Sequence, residues 1–161
     1  MKCIRKIKLF NFKRFKEFAV ALDPMMNIII GDNEAGKSTI IQAIDIALSG
    51  SRNKVETQGI DNLLNADAVK EFMSGEKRID LLPKMIIELY FSEMHSLFCN
   101  GENNSDTVEC DGISLICEPS EEYSNEIKDV LDSEDCCFPY EYYAIRFITF
   151  SANITRGIEN F

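Results

Sequence analysis

Residues Asn27 to Gly50 read NIIIGDNEAGKSTIIQAIDIALSG, and the order of residue types in this stretch decides the fold. Ile28, Ile29 and Ile30 form a short apolar run of the kind a buried parallel strand shows. Gly31 to Ser38 (GDNEAGKS) follow at once and fit G-x-x-x-x-G-K-[ST] at every fixed position. Ile40, Ile41, Ala43, Ile44, Ala47 and Leu48 then recur at helical spacing, and Ser49-Gly50 mark the stop of that helix. An apolar strand before the motif and an amphipathic helix after it are the context that separates a phosphate-binding loop from a chance match.

The chemistry explains the spacing. Glycines let the backbone curl so that its N–H groups converge on a phosphate. The helix that starts near Gly36 adds the positive end of its dipole at the same place. Gly31, Asn33, Glu34, Ala35, Gly36, Lys37, Ser38 and Thr39 are the expected ATP-binding residues. Lys37 is expected to reach the β- and γ-phosphates, and the Ser38 hydroxyl to ligate Mg²⁺.

The 161 residues fit one domain, with hydrophobic and charged fractions of 45% and 27% that are ordinary for a globular protein. No apolar run approaches the ~20 residues a membrane helix needs, so a cytoplasmic protein without a membrane partner is expected. Six cysteines and a single histidine, His95, occur with no C-x-x-C, which reads as reduced thiols and not as a metal site. The net charge of −10 argues against a surface that coats nucleic acid throughout. Seven of the 17 basic residues lie within residues 1–16, which hold none of the 27 acids. That basic edge is fitted to a phosphate chain or an acidic neighbour, or simply faces water on an edge strand.

In chain order, residues 2–12 alternate as a half-buried strand, and Glu17 to Leu22 return as a second, with a turn between that carries Lys13 and Arg14. Asp23-Pro24 breaks the chain before the isoleucines. Ser51 to Gly59 reads as a polar flexible loop, Ile60 to Ser74 as a weakly periodic helix, and Met85 to Phe91 as a strand. Glu93 to Cys99 has room for one or two helical turns, and residues 100–112 (NGENNSDTVECDG) form a polar excursion expected to be a flexible loop. Ile113 to Cys117 is a short strand, Ser120 to Leu131 a helix capped by Ser120, and Phe138 to Phe150 a long aromatic strand.

Two sets of residues carry a family resemblance. Ile4, Ile7, Leu9, Asn11, Phe12, Lys13 and Phe15, followed by Gly31 through Thr39, Ala43 and Ile44, resemble the start of the ATP-binding-cassette class of chromosome and DNA-repair ATPases that includes the SMC proteins. Within that class the chain is most similar to the OLD (overcoming lysogenisation defect) family of ATP-dependent nucleases. Pro83 to Phe91, Gly101 to Ser105, Gly112-Ile113, Pro139 to Tyr143 and Phe150-Ser151 carry that likeness nearly to the end of the chain. It implies an α/β P-loop NTPase of ABC/SMC type, the N-terminal half-lobe, in which a mixed sheet joins an antiparallel β portion. It also implies ATP and Mg²⁺ as ligands, roles in DNA repair or phage defence, and Lys13 as a further residue approaching the triphosphate.

Hydrolysis in the class needs a strand ending in an acid pair. The nearest stretch is Met85-Ile86-Ile87-Glu88, whose acid stands mid-strand. Leu48-Ser49-Gly50 has the letters of the signature segment but closes a helix, and a helix C-terminus presents carbonyls to any phosphate. The carboxylate cluster of an OLD-type Toprim nuclease domain has no counterpart; Asp132, Glu134 and Asp135 read as a solvated turn. The expectation is the ATP-binding front part of a longer OLD-type endonuclease, its catalytic residues unknown, a monomer by itself although the full-length protein forms homo-oligomers and meets DNA. The competing readings are an ATP-gated non-catalytic interaction module and a small P-loop phosphotransferase.

Overall fold

The computed structural model describes residues 3–32, 36–92, 98–133 and 136–154. Strands β1 (Ile4–Phe12) and β2 (Phe15–Ala21) form a hairpin turning at Lys13-Arg14. Helix α1 (Lys37–Ser49) is followed by α2 (Arg52–Gln58), α3 (Ile60–Leu63) and α4 (Ala66–Ser74). The chain then forms β3 (Met85–Phe91), the short β4 (Asn100–Gly101), β5 (Cys110–Pro119), helix α5 (Ser124–Asp132) and β6 (Tyr143–Thr149). Every pairing in the sheet is antiparallel: β2 with β1, β1 with β3, β3 with β5, and β5 with both β4 and β6.

The two faces of this sheet differ because the strands alternate. Ile7 and Leu9 of β1, Ile87 and Leu89 of β3, Ile113 and Leu115 of β5, and Ile145 and Phe147 of β6 are buried on one face. There they join Ile40, Ala43, Ile46 and Ala47 of α1, Val55 of α2, Phe72 of α4, and Ile127 and Leu131 of α5 in a single core. Each buried Ile, Leu, Val or Phe among them contributes about 1.5–3 kcal/mol. The opposite face carries Lys6 and Lys8, in register with Tyr90 and Glu88, and Glu88 in turn stands opposite Ser114.

Several expectations are corrected. Ile28–Ile30 form no strand and are 74%, 42% and 88% exposed. A strand buried on both faces needs neighbours on both sides, and among the described residues no strand runs beside them. Most of the loop expected over Ser51 to Gly59 is helix α2, because Ser51 accepts a hydrogen bond from the Lys54 N–H as its N-cap and Val55 is fully buried. The 60–74 helix is two helices, interrupted where Leu64 bridges to Phe12 and Asn65 caps α4. The helix expected from Ser120 opens with a 3₁₀ turn and becomes α-helical only at Ser124. The strand expected from Phe138 begins at Tyr143, since Pro139 starts a 3₁₀ turn before it. Most of the short helix expected over Glu93 to Cys99 lies outside the described residues, as do Glu134 and Asp135.

The polar excursion between β4 and β5 is anchored to the sheet. The two carboxylate oxygens of Glu88 accept hydrogen bonds from the Ser105 N–H (2.8 Å) and hydroxyl (2.7 Å), and the Tyr90 hydroxyl donates to the same carboxylate at 2.8 Å. Asp106 lies 2.6 Å from the ammonium groups of both Lys6 and Lys8. The phenol of Tyr90 is pushed above its ordinary range, mainly by burial, with the Glu88 charge adding. Much of the basic edge is thus neutralised within the chain, with Lys16 also paired to Glu71.

Candidate nucleotide-binding site

The site is built where α1 begins. Gly36 caps the helix with φ 89°, in the left-handed region, and the Ile40 N–H closes the first turn onto its carbonyl at 3.1 Å. The N–H groups of the first turn before Ile40 have no partner within the helix, as at any helix start. Ser38 stands exposed there, and Thr39 is buried. The Lys37 ammonium reaches back across the loop to donate to the Gly31 carbonyl. Gly31 and Asp32 are exposed, while Asn33, Glu34 and Ala35 lie outside the described residues.

Two side chains of the β1–β2 hairpin press on this cap. A Cβ added to Gly36 would stand 2.6 Å from Cζ of Phe15 and 2.9 Å from Cδ of Arg14. Only glycine therefore fits here, by backbone angle and by space. The motif read from the sequence thus has hairpin residues as its lid. Arg14 lies across the helix start and makes no hydrogen bond or ion pair among the described residues; Lys13 occupies the adjacent turn position with φ 49°.

The turn itself is held from below. The Lys13 N–H donates to the Leu63 carbonyl at 2.7 Å, the Asn65 N–H to the Asn11 carbonyl at 2.9 Å, and the Asn65 side-chain amide to the Lys13 carbonyl at 2.6 Å. The Asn11 amide donates to the Lys84 carbonyl at 2.9 Å. Asn65 fell inside the single helix expected over Ile60 to Ser74, and Phe15 in the turn before the second strand; neither contact with this site was legible, since each joins segments far apart in sequence. Glu88, the nearest approach to a hydrolytic acid in the sequence, is on the wrong side. Its neighbours Ile87 and Leu89 face α1, so the Glu88 carboxylate points to the opposite face of the sheet, into the Ser105 and Tyr90 hydroxyls. Among the described residues no group of three or more His, Cys, Asp or Glu is placed to hold a metal ion. None of the described helices is long and apolar enough to cross a membrane.

The family model described as "AAA ATPase domain" matches residues 1–146, a span that contains the loop, the hairpin and the sheet. The chain belongs to the AAA ATPase domain family. This AAA ATPase domain is similar to the DNA replication and repair protein RecF of Clostridium kluyveri, at 27% identity over 148 residues, covering 87% of this chain and 40% of that protein. It is also similar to the DNA double-strand break repair Rad50 ATPase of Thermoplasma volcanium, at 35% identity over 94 residues, 58% of this chain and 9% of the relative. The chain thus spans two fifths of the RecF relative and less than a tenth of the Rad50 relative. A solved structure from work on ATP-driven dimerization and DNA stimulated activation of SMC ATPases overlaps 80% of this chain and 76% of its own, at TM-score 0.42 and 23% identity, a likeness too distant to argue from. The AAA ATPase domain is therefore an α/β domain of an ATPase family, related over part of its length to RecF and Rad50.

Proposed function

We propose that this chain binds Mg–ATP through Gly31 to Thr39, with Lys37 on the β- and γ-phosphates, Ser38 on Mg²⁺, and Lys13 and Arg14 approaching the triphosphate from the hairpin. The observation that carries the reading is the start of α1. A left-handed Gly36 opens a 13-residue helix, with Lys37 and an exposed Ser38 in its first turn. That arrangement offers unpaired N–H donors, one cation and one hydroxyl within a single turn, which is the donor set a nucleoside triphosphate with its metal requires. Mg²⁺ supplies charge neutralisation between the β- and γ-phosphate oxygens when bound. The chain's own part is to orient the phosphates and to shield their negative charge.

The finer reading is an OLD-type ATP-dependent endonuclease to which this lobe contributes ATP binding, with DNA contact, nuclease chemistry and homo-oligomer formation residing in the longer protein, in the cytoplasm. The exposed Ile28–Ile30 beside the loop support it, since their composition suits a strand covered by further polypeptide. The coverage of the RecF relative is consistent with it as well. Residues 1–161 alone are accordingly expected to remain monomeric with Mg–ATP.

Calorimetry with Mg–ATP on the wild type and Lys37→Ala tests the core of the reading. Loss of binding in the variant is expected, because the point charge facing the terminal phosphates is gone. Equal affinity of the two proteins overturns the assignment.

A further inference from the structure

We infer that Asn65 is a positioning residue of the nucleotide site: its buried amide holds the Lys13–Arg14 turn in a strained conformation that sets both cations beside the start of α1. The inference rests on the Mg–ATP reading above and adds a residue 26 positions beyond its motif, on a separate element.

Lys13 has φ 49° and Asn11 φ 50°, so two of three consecutive residues around Phe12 sit in the left-handed region without being glycine. Asparagine visits that region readily; lysine does so at a cost. Such a conformation persists only where the surroundings over-determine it; here the backbone bridge of Phe12 to Leu64 holds the turn together with the Asn65 amide, which makes the side-chain bond to the Lys13 carbonyl. This side chain is 2% exposed and uses both ends of its amide. The Nδ2 group donates to the Lys13 carbonyl at 2.6 Å, while Oδ1 accepts from the Ala68 N–H at 2.9 Å and caps α4. Its own N–H donates to the Asn11 carbonyl at 2.9 Å. One residue thus ties the two strained positions to the start of a helix.

The consequence appears one residue further on. Arg14 follows Lys13 directly, and its Cδ packs on Gly36, the cap of α1. The direction in which Arg14 leaves the hairpin is set by the backbone of Lys13, whose N–H is held by the Leu63 carbonyl and whose carbonyl, the one next to Arg14, is held by the Asn65 amide. Nucleotide binding to a pre-set turn avoids the entropy of ordering two long cationic side chains and their backbone. Without the clamp the turn relaxes toward ordinary angles, and the cations must be gathered at the moment of binding.

The test separates the two ends of the amide. In Asn65→Ser the hydroxyl still caps α4 but is too short to reach the Lys13 carbonyl. Asn65→Asp keeps the volume and a strong cap, and puts an acceptor where the donor was. Mg–ATP affinity is read by calorimetry, alongside the circular dichroism and melting temperature of the nucleotide-free protein. The same substitutions are repeated in a Lys13→Ala/Arg14→Ala background. Expected is a loss of about five- to tenfold in affinity, the size of one oriented hydrogen bond, with a folded apo protein and no further loss once Lys13 and Arg14 are gone. Affinity within twofold of wild type in either folded variant overturns the inference. So does an equal loss in the Lys13→Ala/Arg14→Ala background, because Asn65 then acts on the fold at large and not through the cations. A wild type that binds no Mg–ATP, or binds it as well as Lys37→Ala does, removes the proposed function and this inference with it. Binding that needs Lys37 and ignores Asn65 removes the inference alone.

Discussion

The ring of Phe15 reaches within 2.6 Å of the point where a Cβ on Gly36 would stand, so the β1–β2 hairpin and the phosphate loop fit together only because residue 36 has no side chain. Gly36→Ala therefore carries two faults: φ 89° is strained for any L side chain, and the new methyl meets both Phe15 and Arg14. A loss of about 2–4 kcal/mol in chemical denaturation is expected from the two together. Adding Phe15→Leu should relieve the ring's share of the clash and leave the Arg14 contact and the backbone part. A double variant no more stable than Gly36→Ala would show that the ring is not the obstacle.

A second glycine is fixed by the same kind of contact on the other side of the sheet. A Cβ on Gly112 would lie 2.0 Å from Cε2 of Phe150, whose ring is 1% exposed and packs edge-on against Tyr90 at 4.9 Å between centroids. The ring has nowhere to go, because the Phe150 backbone is itself held: its N–H donates to the Gly112 carbonyl at 3.0 Å and its carbonyl accepts from Asn103 at 3.0 Å. Gly112→Ala is expected to cost about 3 kcal/mol or more, at the upper end of what overpacking does. A melting temperature within two or three degrees of wild type would refute this packing.

These glycines show what the sequence could and could not disclose. The helix that opens at Gly36 and stops at Gly50 was readable because its signals are local in sequence, and Gly50 does end α1 with φ 57°. The alternation of Ile7 and Leu9 against Lys6 and Lys8 was readable for the same reason. Ile28–Ile30 misled because composition reports what environment a segment suits; a strand also needs a partner to pair with. Residues 51–59 misled in the other direction, since one serine cap and one buried valine outweigh a polar composition. Gly112 with Phe150, Asn65 with Lys13 and Glu88 with Ser105 are long-range contacts, and nothing in the local pattern marks which polar residue will be buried.

Glu88 gives the sharpest such case, because the acid that came nearest to a catalytic one in the sequence, though mid-strand, serves as an anchor in the structure. Glu88→Ala would leave the Ser105 N–H, the Ser105 hydroxyl and the Tyr90 hydroxyl without their acceptor. A loss of about 3 kcal/mol is expected, as for a broken buried charge network. Faster amide exchange should be confined to residues 101–109, and Mg–ATP affinity should be unchanged, because the carboxylate faces away from α1. A variant with intact exchange protection but impaired ATP binding would reverse the roles and return Glu88 to the nucleotide site.

The outer anchor of that excursion has a pH dependence whose sign follows from its ion pairs. Hydrogen bonds from Lys6 and then Lys8 lower the Asp106 carboxyl from its ordinary value to about 2. In the unfolded chain an aspartate titrates near 3.9. A carboxylate depressed on folding contributes stability that is fully present above the unfolded value and is lost as pH falls through the folded one. The Asp106 anchor should therefore be complete from neutrality down to about pH 4 and be released between about pH 4 and pH 2. The side chain is 31% exposed, so the contribution is small and shrinks with added salt. Following the Asp106 side-chain carbon by NMR through an acid titration reads the value directly, and Lys6→Gln/Lys8→Gln should move it back toward the ordinary range. A midpoint near 4 with both lysines present would mean that the two ion pairs do not persist in solution, and that Glu88, without them, holds Ser105 to the sheet.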